Sequence, residues 1–273
     1  MAPTRPHPFP VVPAVAFLVI AWFASATPMR AGPAEAPPDA GFQASILVYH
    51  RFGASVTDGM TVRTATFRRQ IEYLRDHDYP VVTLGAVVAY LRGTGPRPPA
   101  RAVVITADDG HRSVFTEMWP VVRDHPVPVT LFIYPSAISN ASYAMTWDQL
   151  RTLRDSGLFD IESHTFWHPN FAIEQHRLAP DAYQDFARMQ FCKAASVLRA
   201  RTGAAPTVVA WPFGIADQAL FPVVRDCGYV AAVTLQRRTV TSRDDVMVLP
   251  RFLVTDMDTD SRFAAMLPLE RAR

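Results

Sequence analysis

The sequence predicts an α/β fold in which helices wrap a parallel sheet. Short apolar runs typical of buried strands alternate with helical patterns along most of the chain. The chain has 273 residues, of which 49% are hydrophobic, and both values suit one large domain with a sizeable core. Several polar residues that could carry chemistry also stand directly after predicted strands, where folds of this class place their active sites.

The individual elements follow from the spacing of their apolar residues. The helix expected at 65–77 has Phe67, Ile71 and Leu74 on one face, and the helix expected at 84–91 is ended by Gly93. Apolar residues also recur at helical spacing between 183 and 198, which predicts a long helix. The remaining predicted elements are a helix at 146–155 and strands at 45–50, 81–83, 103–107, 127–134, 158–163, 208–211, 229–234 and 246–249.

The N-terminal residues 1–26 have the pattern of a secretory signal peptide. Arg5 supplies a positive start, residues 11–24 are mostly apolar, and Ala24-Ser25-Ala26 fits a small-residue cleavage site. An uncleaved membrane anchor is the alternative, although the apolar stretch is short for a spanning helix. Residues 27–44 are rich in proline and read as a linker, so the domain is expected at 45–268 and in a periplasmic or secreted location.

Composition excludes some partners. The net charge is only +2 and no cluster of basic residues appears, which argues against a nucleic-acid-binding protein. Nothing in the sequence indicates a stable protein partner. The two cysteines, Cys192 and Cys227, could form a disulfide in an exported chain or remain as two buried thiols, and the sequence leaves both alternatives open.

The chemistry is expected where the central strand ends. The run 103–107 is followed by Asp108, Asp109 and Gly110, and two adjacent carboxylates repel unless something positive holds at least one of them. About fifty residues later, His164 and His168 follow another predicted strand, at a spacing that puts both imidazoles on one side of a turn. Two neutral imidazoles and a carboxylate form a catalytic metal shell with a position open to water, so the sequence predicts a metal site.

These segments resemble the polysaccharide deacetylase family, also known as the NodB homology domain or carbohydrate esterase family four. Residues 106–110, TADDG, are similar to the family's first motif, TFDDG, and 163–168, SHTFWH, to its second motif, His-Ser/Thr-x-x-His. Residues 208–214, 226–229 and 249–252 resemble the third, fourth and fifth motif regions. The resemblance covers nearly the whole chain after the N-terminal region and implies a single-domain distorted (β/α) barrel with about seven strands.

The resemblance also implies a role for each site residue. Asp109, His164 and His168 would hold a divalent metal, with Zn²⁺ favoured over Co²⁺ or Ni²⁺, and Asp108 would be the general base. Tyr49-His50 matches a subgroup in which an N-terminal histidine replaces the C-terminal one as general acid, which implies that role for His50; a structural histidine is the alternative.

The third motif region carries further expectations. The backbone amide of Phe213 would face the oxyanion, although a plain turn is an equal alternative. Trp211 and Trp167 could stack on sugar rings or pack in the core, and Trp167 is the better candidate because it lies between two ligands.

This chain departs from the family pattern at three positions. Ala107 and Phe213 stand where relatives often have phenylalanine and tyrosine, and neither change removes a catalytic group. The arginine that usually pairs with the catalytic aspartate is missing, and we expect Arg251 to replace it. Thr165 is expected to brace the histidine loop, as in relatives, and His111 is predicted to have a surface role.

Three functions compete at this point. The first is a metal-dependent N-deacetylase that acts on an acetylated amino-sugar polysaccharide or oligosaccharide outside the cytoplasm. The second is a deacylase of small amides or esters on the same fold. The third is an inactive relative that binds glycan without cleaving it; the complete set of acids and histidines argues against it, because an inactive relative needs no base beside its ligands.

Overall fold

The computed structural model describes residues 41–269. The predicted signal peptide at 1–26 and most of the predicted linker lie outside the described residues. The strands are β1 Gln43–Tyr49, β2 Arg51–Gly53, β3 Thr61–Arg63, β4 Ala102–Asp108, β5 Val129–Ile133, β6 Phe159–Ser163, β7 Val208–Ala210, β8 Ala231–Val233, β9 Val240–Thr241 and β10 Phe252–Leu253. The helices are α1 Thr64–Asp76, α2 Leu84–Leu91, α3 Trp119–Asp124, α4 Trp147–Asp155, α5 Phe171–Arg177, α6 Pro180–Thr202, α7 Phe221–Asp226 and α8 Asp260–Ala264.

Seven parallel strands form one curled sheet in the order β10-β1-β4-β5-β6-β7-β8, and β9 adds antiparallel to β1. The segment 249–254 crosses from one edge of this sheet to the other. Its first residue, Leu249, bridges to Val233 of β8, and the amide of Val254 donates to the carbonyl of Val48 in β1 over 3.0 Å. The predicted distorted (β/α) barrel is therefore confirmed.

Alternation along the strands divides the core into an inner and an outer layer. In β4, Ala102 and Val104 pack with apolar residues from β1, β5, β7 and β8, so this cluster fills the inside of the barrel, where α2 also contributes. Val103 and Ile105 point the other way and pack with α1, α3 and α4. Since every residue of β4 is buried, this strand lies at the centre of the fold, and its carboxyl end opens into the barrel mouth.

The structure corrects two of the predicted strands. Residues Val246–Val248 form a 3₁₀ turn, because the Asp245 side chain accepts a hydrogen bond from the amide of Met247 and starts a helical turn there. The strand that completes the sheet is β10, six residues later. Around Val81 only an isolated bridge to Val103 forms, and β1 starts at Gln43, two residues before the expected start of the domain.

Four short helices, α3, α5, α7 and α8, were not predicted. Their apolar patterns are too brief to separate from loops, although α3, α5 and α7 each have a start signal in the sequence. A proline stands in the first turn of α3 and of α7, and the Asn170 side chain caps α5 by accepting from the amide of Ile173.

The two cysteines form a disulfide. Cys192 in α6 is bonded to Cys227, the residue after α7, so the bond ties the two helices together on the outside of the barrel. The structure thus decides between the two alternatives that the sequence left open. Between residues 41 and 269 no helix combines the length and the apolar character that crossing a bilayer requires.

Candidate active site

The residues singled out by their place after strands meet at the mouth of the barrel. His50 follows β1, Asp108 ends β4 and Asp109 follows it, and both histidines lie after β6. Parallel strands bring their carboxyl ends to one edge, so side chains that are more than a hundred residues apart become neighbours.

Asp109, His164 and His168 are arranged as a metal ligand set. One potential ligand atom from each residue lies within 4.8 Å of the other two. The Nε2 atoms of His164 and His168 are 3.8 and 3.9 Å from Oδ1 of Asp109. These separations leave room for one small cation between a carboxylate oxygen and two imidazole nitrogens, which is a donor set that divalent transition metals favour.

Hydrogen bonds outside this set orient the imidazoles. Nδ1 of His164 lies 2.8 Å from the carbonyl oxygen of Ala210, which can only accept, so Nδ1 carries the proton and Nε2 keeps its lone pair towards Asp109. The amide of His168 donates to Oγ1 of Thr165 over 3.2 Å, which confirms the expected bracing of the loop. The His168 ring also contacts the ring of Phe213, with centroids 4.6 Å apart.

The electrostatics keep His168 neutral. Burial and the neighbouring His164 lower the pKa of His168 to about 4, although the charges of Asp109 and Asp108 oppose this shift. An imidazole must be unprotonated to bind a metal, so the site holds this histidine ready for binding at neutral pH.

Asp108 is held by Arg251, as expected from the missing family arginine. The two guanidinium nitrogens of Arg251 donate to the two carboxylate oxygens of Asp108 over 2.8 and 2.7 Å, and both side chains are buried. The Arg251 side chain also donates to the carbonyl oxygen of Thr234 and to the hydroxyl of Thr106. Burial alone would raise the pKa of Asp108, but the charge of Arg251, helped by His164 and the hydrogen bonds, lowers it to about 2.

His50 lies in the same electrostatic environment. Burial lowers its pKa, whereas the negative charges of Asp108 and Asp109 favour its protonated form. Among the described residues, its buried Nδ1 atom has no hydrogen-bond partner. A buried polar atom without a partner is costly and is uncommon outside functional sites.

The backbone around the site adopts conformations that side chains usually avoid. Asp109, Thr165, His168 and Phe213 have φ values of 73°, 64°, 65° and 58°. Such left-handed residues cost roughly 1–2 kcal/mol each and persist where the surroundings determine them. Gly110 follows with φ 70°, and a Cβ atom there would lie 2.9 Å from the end of the Ile138 side chain, so a larger residue would be strained and would have to displace that side chain.

The two predicted sugar-stacking tryptophans differ in position. The Trp211 side chain is fully buried among Phe171, Phe191 and Phe221, and its indole N–H donates to the carbonyl of Met247 over 3.0 Å. The prediction that Trp211 contacts substrate is therefore wrong, because every face of its ring is covered by the core. Trp167 and Phe213, by contrast, are 49% and 54% exposed beside the histidines.

Sequence reasoning missed two tyrosines at the site. The Tyr134 ring lies 5.6 Å from the His168 ring, and its hydroxyl is 2.5 Å from the hydroxyl of Tyr143. Burial, this hydrogen bond and the charge of Asp109 raise the pKa of Tyr134, so the phenol stays protonated. The sequence signal that could have identified Tyr134 was its place as the last residue of a predicted strand.

His111, which was predicted to lie on the surface, is half-buried and hydrogen-bonded to Ser113.

Comparison with known proteins agrees with this geometry. The sequence model of the family described as polysaccharide deacetylase matches residues 95–232. The chain is 26% identical over 271 aligned residues to the poly-beta-1,6-N-acetyl-D-glucosamine N-deacetylase of Escherichia coli K12, covering 86% of this chain and 40% of that protein. It is 26% identical over 211 residues to the protein of the same name from Staphylococcus epidermidis, covering 75% of this chain and 71% of that one.

Solved structures share the fold. A deacetylase from Streptococcus pyogenes, PplD, solved with acetate, matches with a TM-score of 0.73 and 16% identity over 83% of this chain and 98% of its own. IcaB from Ammonifex degensii matches with a TM-score of 0.71 and 24% identity over 83% and 97%.

The family match spans just over half of the chain, from the loop before β4 into β8. It includes both carboxylates, both histidines and the turn at Phe213. The chain spans 40% of the length of the Escherichia coli relative. This chain belongs to the polysaccharide deacetylase family.

Proposed function

We propose that this protein is a metal-dependent hydrolase that removes N-acetyl groups from an acetylated amino-sugar polysaccharide outside the cytoplasm. The observation that carries the proposal is that two adjacent carboxylates differ in one partner each. Nε2 of His164 lies 3.7 Å from Oδ2 of Asp108 and 3.8 Å from Oδ1 of Asp109, but Asp109 also faces His168, whereas both oxygens of Asp108 accept from Arg251. The names of the curated relatives support an N-acetylglucosamine polymer as the substrate.

Asp109, His164 and His168 would hold the metal, with Zn²⁺ favoured and Co²⁺ or Ni²⁺ as alternatives. The donor atoms fit such an ion, because the proton on Nδ1 of His164 leaves its Nε2 free to coordinate. The chemistry supplied by the ion when bound is polarisation of the acetyl carbonyl and acidification of a water molecule.

Asp108 acts as the general base. Its carboxylate accepts a proton from the water that attacks the acetyl carbon, and Arg251 keeps that carboxylate ionised and fixed in orientation. A pKa of about 2 makes Asp108 a weak base in isolation. Its position rather than its basicity is therefore what contributes to catalysis.

His50 acts as the general acid that protonates the departing amine. Its lowered pKa makes the charged imidazole a ready proton donor, and the neighbouring carboxylates favour charging it during the reaction. We expect His50→Ala to lower kcat by about 10²-fold while metal content stays the same. Unchanged steady-state kinetics in that variant would leave His50 a structural residue.

Phe213 and Trp167 contact the substrate in this proposal. The amide of Phe213 donates a hydrogen bond to the developing oxyanion, because the turn that carries it adjoins His168. Trp167 offers an exposed aromatic face next to the ligands, on which an apolar face of a sugar can stack.

A location outside the cytoplasm is supported by two observations. The N-terminal pattern is that of a secretory signal. The disulfide between Cys192 and Cys227 is of the kind that forms and persists in oxidising compartments.

The test is acetate release from poly-β-1,6-N-acetylglucosamine by the purified chain. We expect release that stops after chelation and returns when Zn²⁺ is added back, with one metal ion per chain by elemental analysis. Acetate release that is indifferent to chelation would contradict the metal dependence. Faster hydrolysis of a small acetate ester than of the polymer, compared by kcat/KM, would favour the second reading, a small-substrate deacylase.

A further inference from the structure

A tyrosine borders the metal ligand set from a strand that supplies none of the ligands. Tyr134 directly follows β5, which lies between β4 and β6 in the sheet. Its ring is 5.6 Å from the ring of His168 and 6.4 Å from that of His164. Tyr134 therefore forms part of the wall of the site although the mechanism above gives it no task.

Tyr143 continues this wall away from the ligands. Its hydroxyl is 2.5 Å from that of Tyr134, and its ring lies parallel to the ring of His111, with centroids 6.2 Å apart and planes inclined by 10°. The backbone holds this arrangement, because the amide of Arg112 donates to the carbonyl of Tyr143 over 2.8 Å and the amide of Met145 donates to the carbonyl of Gly110. The tyrosine is thus fixed to the loop that follows Asp109.

The chemistry of this wall suits a sugar. Two phenols carry two O–H protons, and their mutual hydrogen bond uses one, so the pair can donate one hydrogen bond outward and still accept others. The Tyr143 side chain is 40% exposed, so part of its apolar ring remains available. A hexose combines hydroxyl groups at its edge with C–H groups on its faces, which match a donor and an aromatic surface side by side.

We propose that Tyr143, positioned by Tyr134 and His111, forms a subsite for the sugar ring next to the ring that is deacetylated. This inference rests on the proposed function, since it assumes a polymer whose acetamide enters the metal site. We assign Tyr143 to a neighbouring ring and not to the reacting ring because Tyr134 lies between Tyr143 and the histidine ligands. The subsite would make the protein prefer oligomers over a single acetylated sugar.

The test is a binding measurement that does not require turnover. Full-length, zinc-loaded protein carrying Asp108→Asn is titrated calorimetrically with N-acetylglucosamine and with its β-1,6-linked pentamer. Adding Tyr143→Ala should weaken pentamer binding by about 10-fold and monomer binding by less than about 2-fold, since one stacking and hydrogen-bonding contact is lost. Tyr143→Phe, which keeps the ring, should weaken pentamer binding by only about 3-fold.

The chain offers a matched control. Tyr73 stacks on His77 in and after α1, with ring centroids 3.9 Å apart, in a tyrosine–histidine pair that includes no site residue. Tyr73→Ala should leave both affinities unchanged. Thermal unfolding of each variant identifies any loss of binding that comes from unfolding.

Three outcomes would overturn the inference. Wild-type-like pentamer affinity in Tyr143→Ala would remove Tyr143 from binding. Equal weakening of monomer and pentamer binding in Tyr143→Ala would place Tyr143 at the reacting ring. If the protein with Tyr143 intact binds monomer and pentamer with equal affinity, no subsite for a neighbouring ring exists. If the wild-type chain binds the pentamer through Tyr143 but releases no acetate, the proposed function fails while the subsite stands.

Discussion

Asp108 and Asp109 are adjacent in the sequence but belong to different environments. The side chain of Asp108 is 2% exposed and lies against Arg251, whereas that of Asp109 is 20% exposed and faces two imidazoles. Asp108 is the last residue of a regular strand, and Asp109 is the first residue of a left-handed turn. The turn therefore brings Asp109 to His168 while Asp108 stays with Arg251, and His164 lies 3.7 and 3.8 Å from the two carboxylates.

This difference shows how one dipeptide can serve two chemical tasks. A carboxylate whose two oxygens both accept from a guanidinium is poorly placed to be a metal ligand as well. Asp109 has no lysine or arginine partner among the described ion pairs and faces only His164 and His168, so a bound cation would supply the positive charge that it lacks. We expect mutations of the two residues to separate metal binding from catalysis.

The largest effect should come from Asp109→Asn. Replacing the only carboxylate of the ligand set should abolish stoichiometric zinc binding and lower deacetylation by more than about 10³-fold. Elemental analysis and acetate release, measured on the same sample, check this. Full zinc content with near-normal activity would contradict the assignment of Asp109 as a ligand.

Asp108→Asn should keep the metal and lose the reaction. We expect zinc content to remain at one ion per chain while kcat falls by about 10³-fold, because the amide cannot accept a proton from water. KM should change little. If the zinc content falls together with kcat, the two carboxylates do not have separate roles.

Arg251→Met should act on catalysis through Asp108. Without the guanidinium, burial raises the pKa of Asp108, so the acid limb of the kcat/KM profile should move to higher pH. Breaking a buried pair should also cost about 3–5 kcal/mol of stability. Arg251→Lys keeps the positive charge and serves as a second variant if Arg251→Met does not fold. In Arg251→Lys the acid limb should move to higher pH by a smaller amount. An unmoved acid limb in both variants would exclude this role.

The smallest effect concerns acid stability of the metal-free protein. The pKa of His168 is about 4 in the folded state, against 6.5 for an unperturbed histidine, so between these values the unfolded chain binds more protons. The free energy of unfolding should therefore fall as pH drops from 6.5 to 4, because His168 takes up about one proton when the chain unfolds. His168→Gln should reduce that slope in denaturant titrations; an unchanged slope would contradict the shifted pKa.

Much of the site could be predicted from the sequence because it depends on strand ends. A buried β-branched run that stops at charged residues marks the point where a strand leaves the core. Parallel strands deliver all such points to one edge, so Asp108, Asp109, His164 and His168 could be placed together without knowing any distance. The family and the barrel followed from the same segments.

Elements stabilised by few local contacts were harder to predict. The segment 246–249 has the composition of a strand, yet the Asp245 cap turns it into a helical turn, and the sheet is completed at 252–253. The short helices α3, α5 and α7 are likewise held by packing rather than by their own sequence patterns.

The sequence by itself determined that strand ends with acids and histidines converge on one site, since alternation and strand direction are local properties of the chain. Only the tertiary structure decided which aromatic residue is covered and which is exposed. Trp211 is buried and Trp167 is not, although both lie in motifs of the same family. It also decided that Tyr143 lies against Tyr134 beside the site, because that contact depends on the path of the loop between β5 and α4.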